Sequence, residues 1–307
     1  MSKIDRAPVA TPLRKKRASP RSPLQRQKRA LKQKRGLGSG AAYQSFIRVE
    51  RHEFGSVGRS HIWLDPINPK ITSHLLSDLE RYVLMHLATA GAQVRSQYPL
   101  WRAGVEPEFV GSTAIPNSGS VRIAKEMSIT HPAMQGEFLV LTLDLLAKFD
   151  NGKYLAIYVK YRKDLPPRDS RGYELYQLVK RYWRRRNVPL LVITEEQVKI
   201  PETIRWLDWA SSIRGSYVPG TEHALLALVR KVVTETDPLS TMHARISALG
   251  ETTWDVVHAI KYALWTGHVS IDFLPGGADL SEVWNIKLRK HSVGASFRRV
   301  LALATKI

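Results

Sequence analysis

The chain has 307 residues, no cysteine, and 47 Lys and Arg against 27 Asp and Glu, giving a formal charge of +20 and an isoelectric point near 10.2. Its length suits two domains with at least one buried core, and 43% hydrophobic with 24% charged residues is ordinary for a globular protein. Without cysteine there is no disulfide framework, thiolate nucleophile or Cys-ligated metal, so any metal must sit on carboxylates, histidines or carbonyls.

No apolar run approaches the roughly 20 residues of a membrane span, and no apolar segment follows the charged N-terminus as in a signal peptide. A cytoplasmic protein with no membrane partner is expected. The charge points to an anionic polymer, nucleic acid before membrane surface. Residues 1–36 hold thirteen Lys or Arg and one acid, Asp5, so +12 of the +20 lies there and the rest of the chain is basic too. Residues 1–40 read as a disordered basic tail, either an arm on DNA phosphates or a solvated tail without a specific role. Residues 41–210 alternate helical and strand patterns, 211–220 read as a Gly- and Pro-containing linker, and 221–307 form a second patterned block.

In the first block, Ser73 is an expected N-cap for a helix over His74–Ala90, with Leu76, Val83 and Leu87 as its buried stripe. Glu80 falls inside that stripe, where an unpaired carboxylate costs several kcal/mol, on the order given for buried charges. It is either a metal ligand or an edge glutamate paired with Arg81 or Arg95. A hairpin follows, with arms 137–149 and 153–162 around Asp150-Asn151-Gly152. Asp144 interrupts the first apolar arm and Lys160 the second. A two-residue Asn-Gly loop opposes Asp144 to Val159 and turns it away from Lys160. A three-residue loop with Gly152 left-handed opposes it to Tyr158 and puts Asp144, Tyr158 and Lys160 on one face. The sequence permits both; a site requires the second.

Phosphodiester hydrolysis explains such a convergence. Mg²⁺ held by one or two carboxylates neutralises charge on phosphorus and activates water, and Mn²⁺ is the natural substitute. On this reading Asp144 is the central ligand, Tyr158 contributes its carbonyl, Glu80 completes a site for one or two ions, and Lys160 stabilises developing charge. The alternative is a buried Asp144–Lys160 salt bridge. Beyond the hairpin, 170–186 is a helix with Leu175, Leu178, Val179 and Tyr182 inward, capped by Asn187, and 188–193 is a buried strand completing a βαβ unit. Its cations Lys180, Arg181, Arg184, Arg185 and Arg186 either line DNA or form a solvated helix end.

The order Glu80 on a helix, Asp144 on a strand and Lys160 on the next strand resembles the restriction-endonuclease-like fold. The segments Ser56-Val-Gly-Arg-Ser-His61, His74-Leu-Leu-Ser-Asp-Leu-Glu80, Arg181-Tyr-Trp183, Thr194-Glu195 and Ile204-Arg-Trp-Leu207 resemble the TnsA family of transposon endonuclease subunits. That resemblance covers about residues 40–210. It implies an α/β, restriction-endonuclease-like nuclease domain whose catalytic set is Glu80, Asp144 and Lys160. It also implies Mg²⁺-dependent cutting of the non-transferred strand at transposon 5′ ends. The implied partners are double-stranded transposon-end DNA, a TnsB-like DDE transposase and a TnsC-like AAA+ ATPase. The position of Tyr158 is often Gln in that family, and Ser96 stands where an acid is common.

In 221–307, three amphipathic helices (222–236, 239–249, 252–266) and two strands (267–273, 284–289) suggest a mainly α, winged-helix-like domain. Its third helix carries Lys261 beside Asp255 and His258, so docking to a protein is as well supported as reading DNA. The basic segment 287–306 could touch either. The competing functions are a stand-alone restriction- or resolvase-type nuclease and a catalytically inactive DNA-binding adaptor.

Overall fold

The computed structural model describes residues 21–50, 59–101, 119–198, 201–232, 248, 250, 252–272 and 287–290. In chain order the elements are α1 (Pro23–Lys32), β1 (His61–Leu64), β2 (Thr72–Leu75), α2 (Asp78–Thr89), β3 (Gln93–Leu100) and α3 (Ser120–Glu126). Then come β4 (Ala133–Met134), β5 (Glu137–Phe138), β6 (Leu141–Lys148), β7 (Tyr154–Val159), α4 (Arg171–Arg184), β8 (Leu190–Ile193) and α5 (Glu195–Val198). The described chain closes with α6 (Pro201–Ser211), α7 (Glu222–Val232), α8 (Thr253–Trp265), β9 (Val269–Asp272) and β10 (Lys287–Lys290).

A four-stranded sheet in the order β3-β6-β7-β8 organises this mixed α/β fold. The first three strands are antiparallel; α4 crosses over so that β8 runs parallel to β7. On one face Leu178, Tyr182 and Trp183 of α4 pack against Tyr98, Leu100, Leu146 and Ala156. On the other, Leu79, Val83, Leu84 and Leu87 of α2 pack against Leu145, Ala147, Leu155, Ile157 and Val159. Burial on both faces explains why the strands read as apolar runs rather than alternations. At roughly 1.5–3 kcal/mol per buried aliphatic side chain, these two layers outweigh any local propensity in fixing the fold.

The hairpin takes the three-residue loop. Lys148 pairs with Tyr154 and Leu145 with Ile157, while Gly152 sits at φ +76° and donates its N–H to the Phe149 carbonyl. That left-handed conformation is one that a residue with a Cβ resists.

Helix α2 begins four residues later than the periodicity predicts. Thr72–Leu75 pairs with β1, and Ser77, not Ser73, is the N-cap, accepting from the Glu80 N–H at 3.1 Å. Two serines compete for the cap; pairing with β1 consumes the first. The segment 21–40 corrects the expectation of a disordered tail; residues 1–20 lie outside the described residues. Here α1 starts with a Ser22–Gln25 capping box and Pro23 in its first turn, and buries Leu24, Gln27 and Ala30. Gln27 accepts from Val140 N–H at 2.6 Å and donates to the Phe138 carbonyl at 3.0 Å, so one side chain pairs an open stretch of backbone.

A third core joins Met85 of α2 and Trp206, Leu207 and Ala210 of α6 to Val229 of α7 and Val256, Ala259, Ile260 and Ala263 of α8. Part of the expected linker 211–220 is folded. Ser212–Gly215 is a 3₁₀ turn, and Ile213 is fully buried. Gly267, at φ +77° just after α8, lies where a Cβ would meet the Thr89 carbonyl at 2.4 Å, so only glycine lets α8 end against α2. Strands β9 and β10 pair antiparallel, Lys287 opposite Asp272, as the expected hairpin of the second block. The expected helix over 239–249 and the basic segment beyond 290 lie outside the described residues, apart from residue 248. Among the described residues, no helix is long and apolar enough to cross a membrane.

Candidate metal centre and nucleic-acid interface

Asp144 occupies a gap in the sheet. Towards β3 the ladder pairs Ser96 with Leu145 and Tyr98 with Leu143, and skips the intervening Gln97, which is left-handed at φ 51°. Towards β7 the pairing stops at Leu145–Ile157, and the Asp144 carboxylate itself accepts the Val159 N–H through Oδ2 at 2.7 Å. Carried one residue past its last pair, that register sets Asp144 opposite Tyr158, the arrangement the three-residue turn predicts. Lys160 feels the charges of both Asp144 and Glu80, and Glu80 feels both in return.

Glu80 arrives from the first turn of α2. Its Oε2 accepts from the Leu76 N–H and from Gln97 Nε2, both at 3.0 Å, and its Oε1 accepts from Ser77 Oγ at 3.3 Å. The Ser77 contact is that of a helix cap, while the Leu76 N–H belongs to the residue before the cap. Capping does not account for the second carboxylate and the ammonium beside it. Neither arginine expected as a partner is one: Arg81 pairs with Asp208, and Arg95 lies over the Tyr43 ring at 5.8 Å.

The electrostatics are those of a site short of positive charge. Burial first, and then Asp144, push the Glu80 carboxyl up to about 8, against the pull of the Leu76 N–H, Lys160 and Ser77. Burial also raises Asp144, opposed by Lys160 and the Val159 N–H. Burial works to lower Lys160, but Asp144, Tyr158 and Glu80 outweigh it and hold the ammonium charged. Among the described residues Lys160 makes no direct ion pair, so the simple buried salt bridge is not what forms.

A divalent cation fits this donor set. Two clustered carboxylates that would otherwise retain a proton at neutral pH gain most from a cation. Their hard oxygens suit Mg²⁺, which keeps several of its own waters. No group of three or more His, Cys, Asp or Glu able to hold a metal occurs among the described residues, which argues against a zinc-type cage there.

The structure corrects the backbone donor. Val159 N–H points to Asp144, whereas Lys160 N–H points the other way, to the Ile193 carbonyl at 3.1 Å, as Ala156 N–H does to Pro189 at 2.9 Å. A strand residue's N–H and C=O lie on the same side, so the Tyr158 carbonyl turns into the β8 ladder and the Val159 carbonyl faces the Asp144 side. The Tyr158 ring instead takes Lys160 Nζ at 5.2 Å from its centroid and contacts Tyr176 at 5.6 Å.

The expected cationic cluster of α4 divides. Lys180, Arg181 and Arg184 are exposed. Arg185 pairs with Glu126. Arg186 is buried, stacked 3.4 Å over the Tyr182 ring, and donates to the Tyr182 carbonyl at 2.9 Å; burial brings it down to about 10. The cause is the helix end: Asn187 at φ 52° returns its N–H to Arg184, and Val188 returns its N–H to Trp183, turning residue 186 inward.

Gln97 is the residue that the sequence did not single out. It is buried, donates to Glu80, accepts from Thr142 Oγ1 at 3.4 Å, and offers its carbonyl to the Phe46 N–H. The available signal was the polar trio Arg95-Ser96-Gln97, all buried within a core strand.

Fold and site together describe an α/β protein with an acidic pair and a lysine at a break in its central sheet, and exposed cations on α4. The chain is 28% identical over 183 residues to the transposon Tn7 transposition protein TnsA of Escherichia coli, an alignment covering 58% of this chain and 60% of that protein. The chain thus spans about 60% of the length of the curated relative it matches. No family model matches it.

Proposed function

We propose that the chain is a Mg²⁺-dependent DNA endonuclease of restriction-endonuclease-like fold that cuts the non-transferred strand at transposon 5′ ends. It would act in a cut-and-paste complex with a TnsB-like DDE transposase and a TnsC-like AAA+ ATPase. The observation that carries the reading is the meeting of Glu80, Asp144 and Lys160 where the ladders on both sides of Asp144 are interrupted. The similarity to a protein named for Tn7 transposition supplies the biological setting.

Glu80, Asp144 and the Val159 carbonyl are the groups that would hold the ion. When bound, Mg²⁺ supplies a Lewis acid and a water acidic enough to attack phosphorus near neutral pH. Gln97 and the Leu76 N–H keep the Glu80 carboxylate aimed at the gap. Lys160, charged and tied to Asp144 electrostatically, stabilises the charge that develops on the phosphate oxygens. Lys180, Arg181 and Arg184, all exposed, would hold DNA phosphates, which position the duplex without reading its sequence.

The test is strand-specific cleavage of a labelled transposon-end duplex in Mg²⁺ with the cognate transposase and ATPase present, comparing wild type with Asp144→Ala. Loss of the 5′-end cut alone supports the proposal. Identical cuts from both proteins would make Asp144 structural and the fold a DNA-binding scaffold.

A further inference from the structure

A chain of aromatic contacts leaves the site along α4. Lys160 Nζ lies 5.2 Å from the Tyr158 ring, Tyr158 lies 5.6 Å from Tyr176, and Tyr176 lies 6.1 Å from Tyr173. The core-facing side of α4 is already filled by Leu178, Val179, Tyr182 and Trp183. Tyr173 and Tyr176 lie outside that set and remain half-buried. At about 100° and 1.5 Å per residue, Tyr173, Gln177, Lys180 and Arg184 fall within about 60° of one another on the exposed side. Lys180 is then about 6 Å and Arg184 about 12 Å along the axis from Tyr176. Neither cation has an ion pair among the described residues, and Glu174 lies off the stripe, paired with Arg171.

Aromatic rings followed by regularly spaced cations are the elements of a single-strand track, in which bases stack on rings and phosphates meet cations. We propose that α4 carries one strand of DNA away from the site, with Tyr176 and Tyr173 stacking on an unstacked base and Lys180 and Arg184 taking the phosphates beyond it. This rests on the nuclease reading and deepens it by naming the form of the substrate: a strand locally drawn out of the duplex, since a paired base has no free face to offer. Tyr158 links the two parts, because its ring lies between Lys160 and Tyr176.

The test uses the full chain and uncut transposon-end duplex without Mg²⁺, with 5-iodouracil placed at one position at a time in the strand that is cut. Irradiation should give crosslinks to the α4 peptide containing Tyr173 and Tyr176 from one or two adjacent positions. Tyr173→Leu/Tyr176→Leu should reduce them to background, and Tyr173→Phe/Tyr176→Phe should retain them. Lys180→Ala and Arg184→Ala should each lower the slope of log Kd against log salt by about 1 without changing the fold. Crosslinks that avoid α4, or that persist in the Leu variant, overturn the proposal, as do unchanged salt slopes. Cleavage plays no part in this readout. The track can therefore fail while Asp144→Ala still abolishes cutting, which keeps its failure distinguishable from failure of the nuclease reading.

Discussion

Gln97 donates to Glu80 across 3.0 Å from a residue whose own backbone is left-handed, so the kink that breaks the β3–β6 ladder also aims the glutamate. A non-glycine side chain in that conformation costs of order 1 kcal/mol, and the structure retains it beside the acidic pair. Gln97→Ala should leave the fold intact and weaken the hold on the ion. Support residues of this kind are worth roughly 10- to 100-fold in metal affinity or activity. A Mg²⁺ titration of single-turnover cleavage should show the half-saturating concentration rising by that order. An unchanged titration would reduce Gln97 to a packing residue.

The raised Glu80 carboxyl makes stability depend on pH in a definite direction. A carboxyl at about 8 in the fold and near 4.5 when free keeps its proton on folding, so the native state binds more protons than the unfolded state between those values. Without metal, the melting temperature should fall as pH rises from about 5 to 8, to which Asp144, also raised, contributes. Mg²⁺ should flatten the slope by stabilising the ionised pair, and Glu80→Gln should remove most of it. A metal-free melting temperature constant across that window would contradict this account of the site.

Lys160→Met keeps the aliphatic stem and deletes the charge. Cleavage should fall by roughly 10²- to 10³-fold, the order seen when a preorganised stabiliser of developing charge is removed. Metal binding should be retained, because Glu80 and Asp144 remain. Manganese paramagnetic relaxation would separate the two effects. Loss of binding together with activity would recast Lys160 as a structural counter-charge.

Arg184 and Arg186 are two residues apart and should respond oppositely. Arg186→Ala removes a buried cation from the Tyr182 face and should cost about 2 kcal/mol or more of stability while leaving the salt slope of DNA binding unchanged. Arg184→Ala should leave the melting curve in place and lower the slope by about 1. Thermal melts and fluorescence anisotropy on both variants decide this, and a DNA-binding deficit confined to Arg186→Ala would reverse the assignment.

Much of this was legible in the residues. The cost of placing Asp144 and Lys160 in buried strands marked them as paired with something. The Asp-Asn-Gly turn narrowed the hairpin to two registers, and the apolar face of α4 and its Asn187 end follow from helical periodicity. The N-terminal helix was hidden because thirteen cations in 36 residues swamp an apolar pattern, and its anchor, Gln27, is polar.

Composition and spacing by themselves determined which residue types could do chemistry here: no thiolates, a carboxylate pair, a lysine and a surplus of cations. The tertiary structure decided which of them meet. It chose the three-residue turn, with Gly152 left-handed and Lys148 paired to Tyr154. It capped α2 with Ser77, because β1 claims 72–75, and it buried Arg186, because the chain turns left-handed at Asn187 just past the helix. It also exchanged the Tyr158 carbonyl for that of Val159 and brought Gln97 to Glu80. Side-chain direction and backbone pairing depend on neighbours distant in the chain, and local spacing does not encode them.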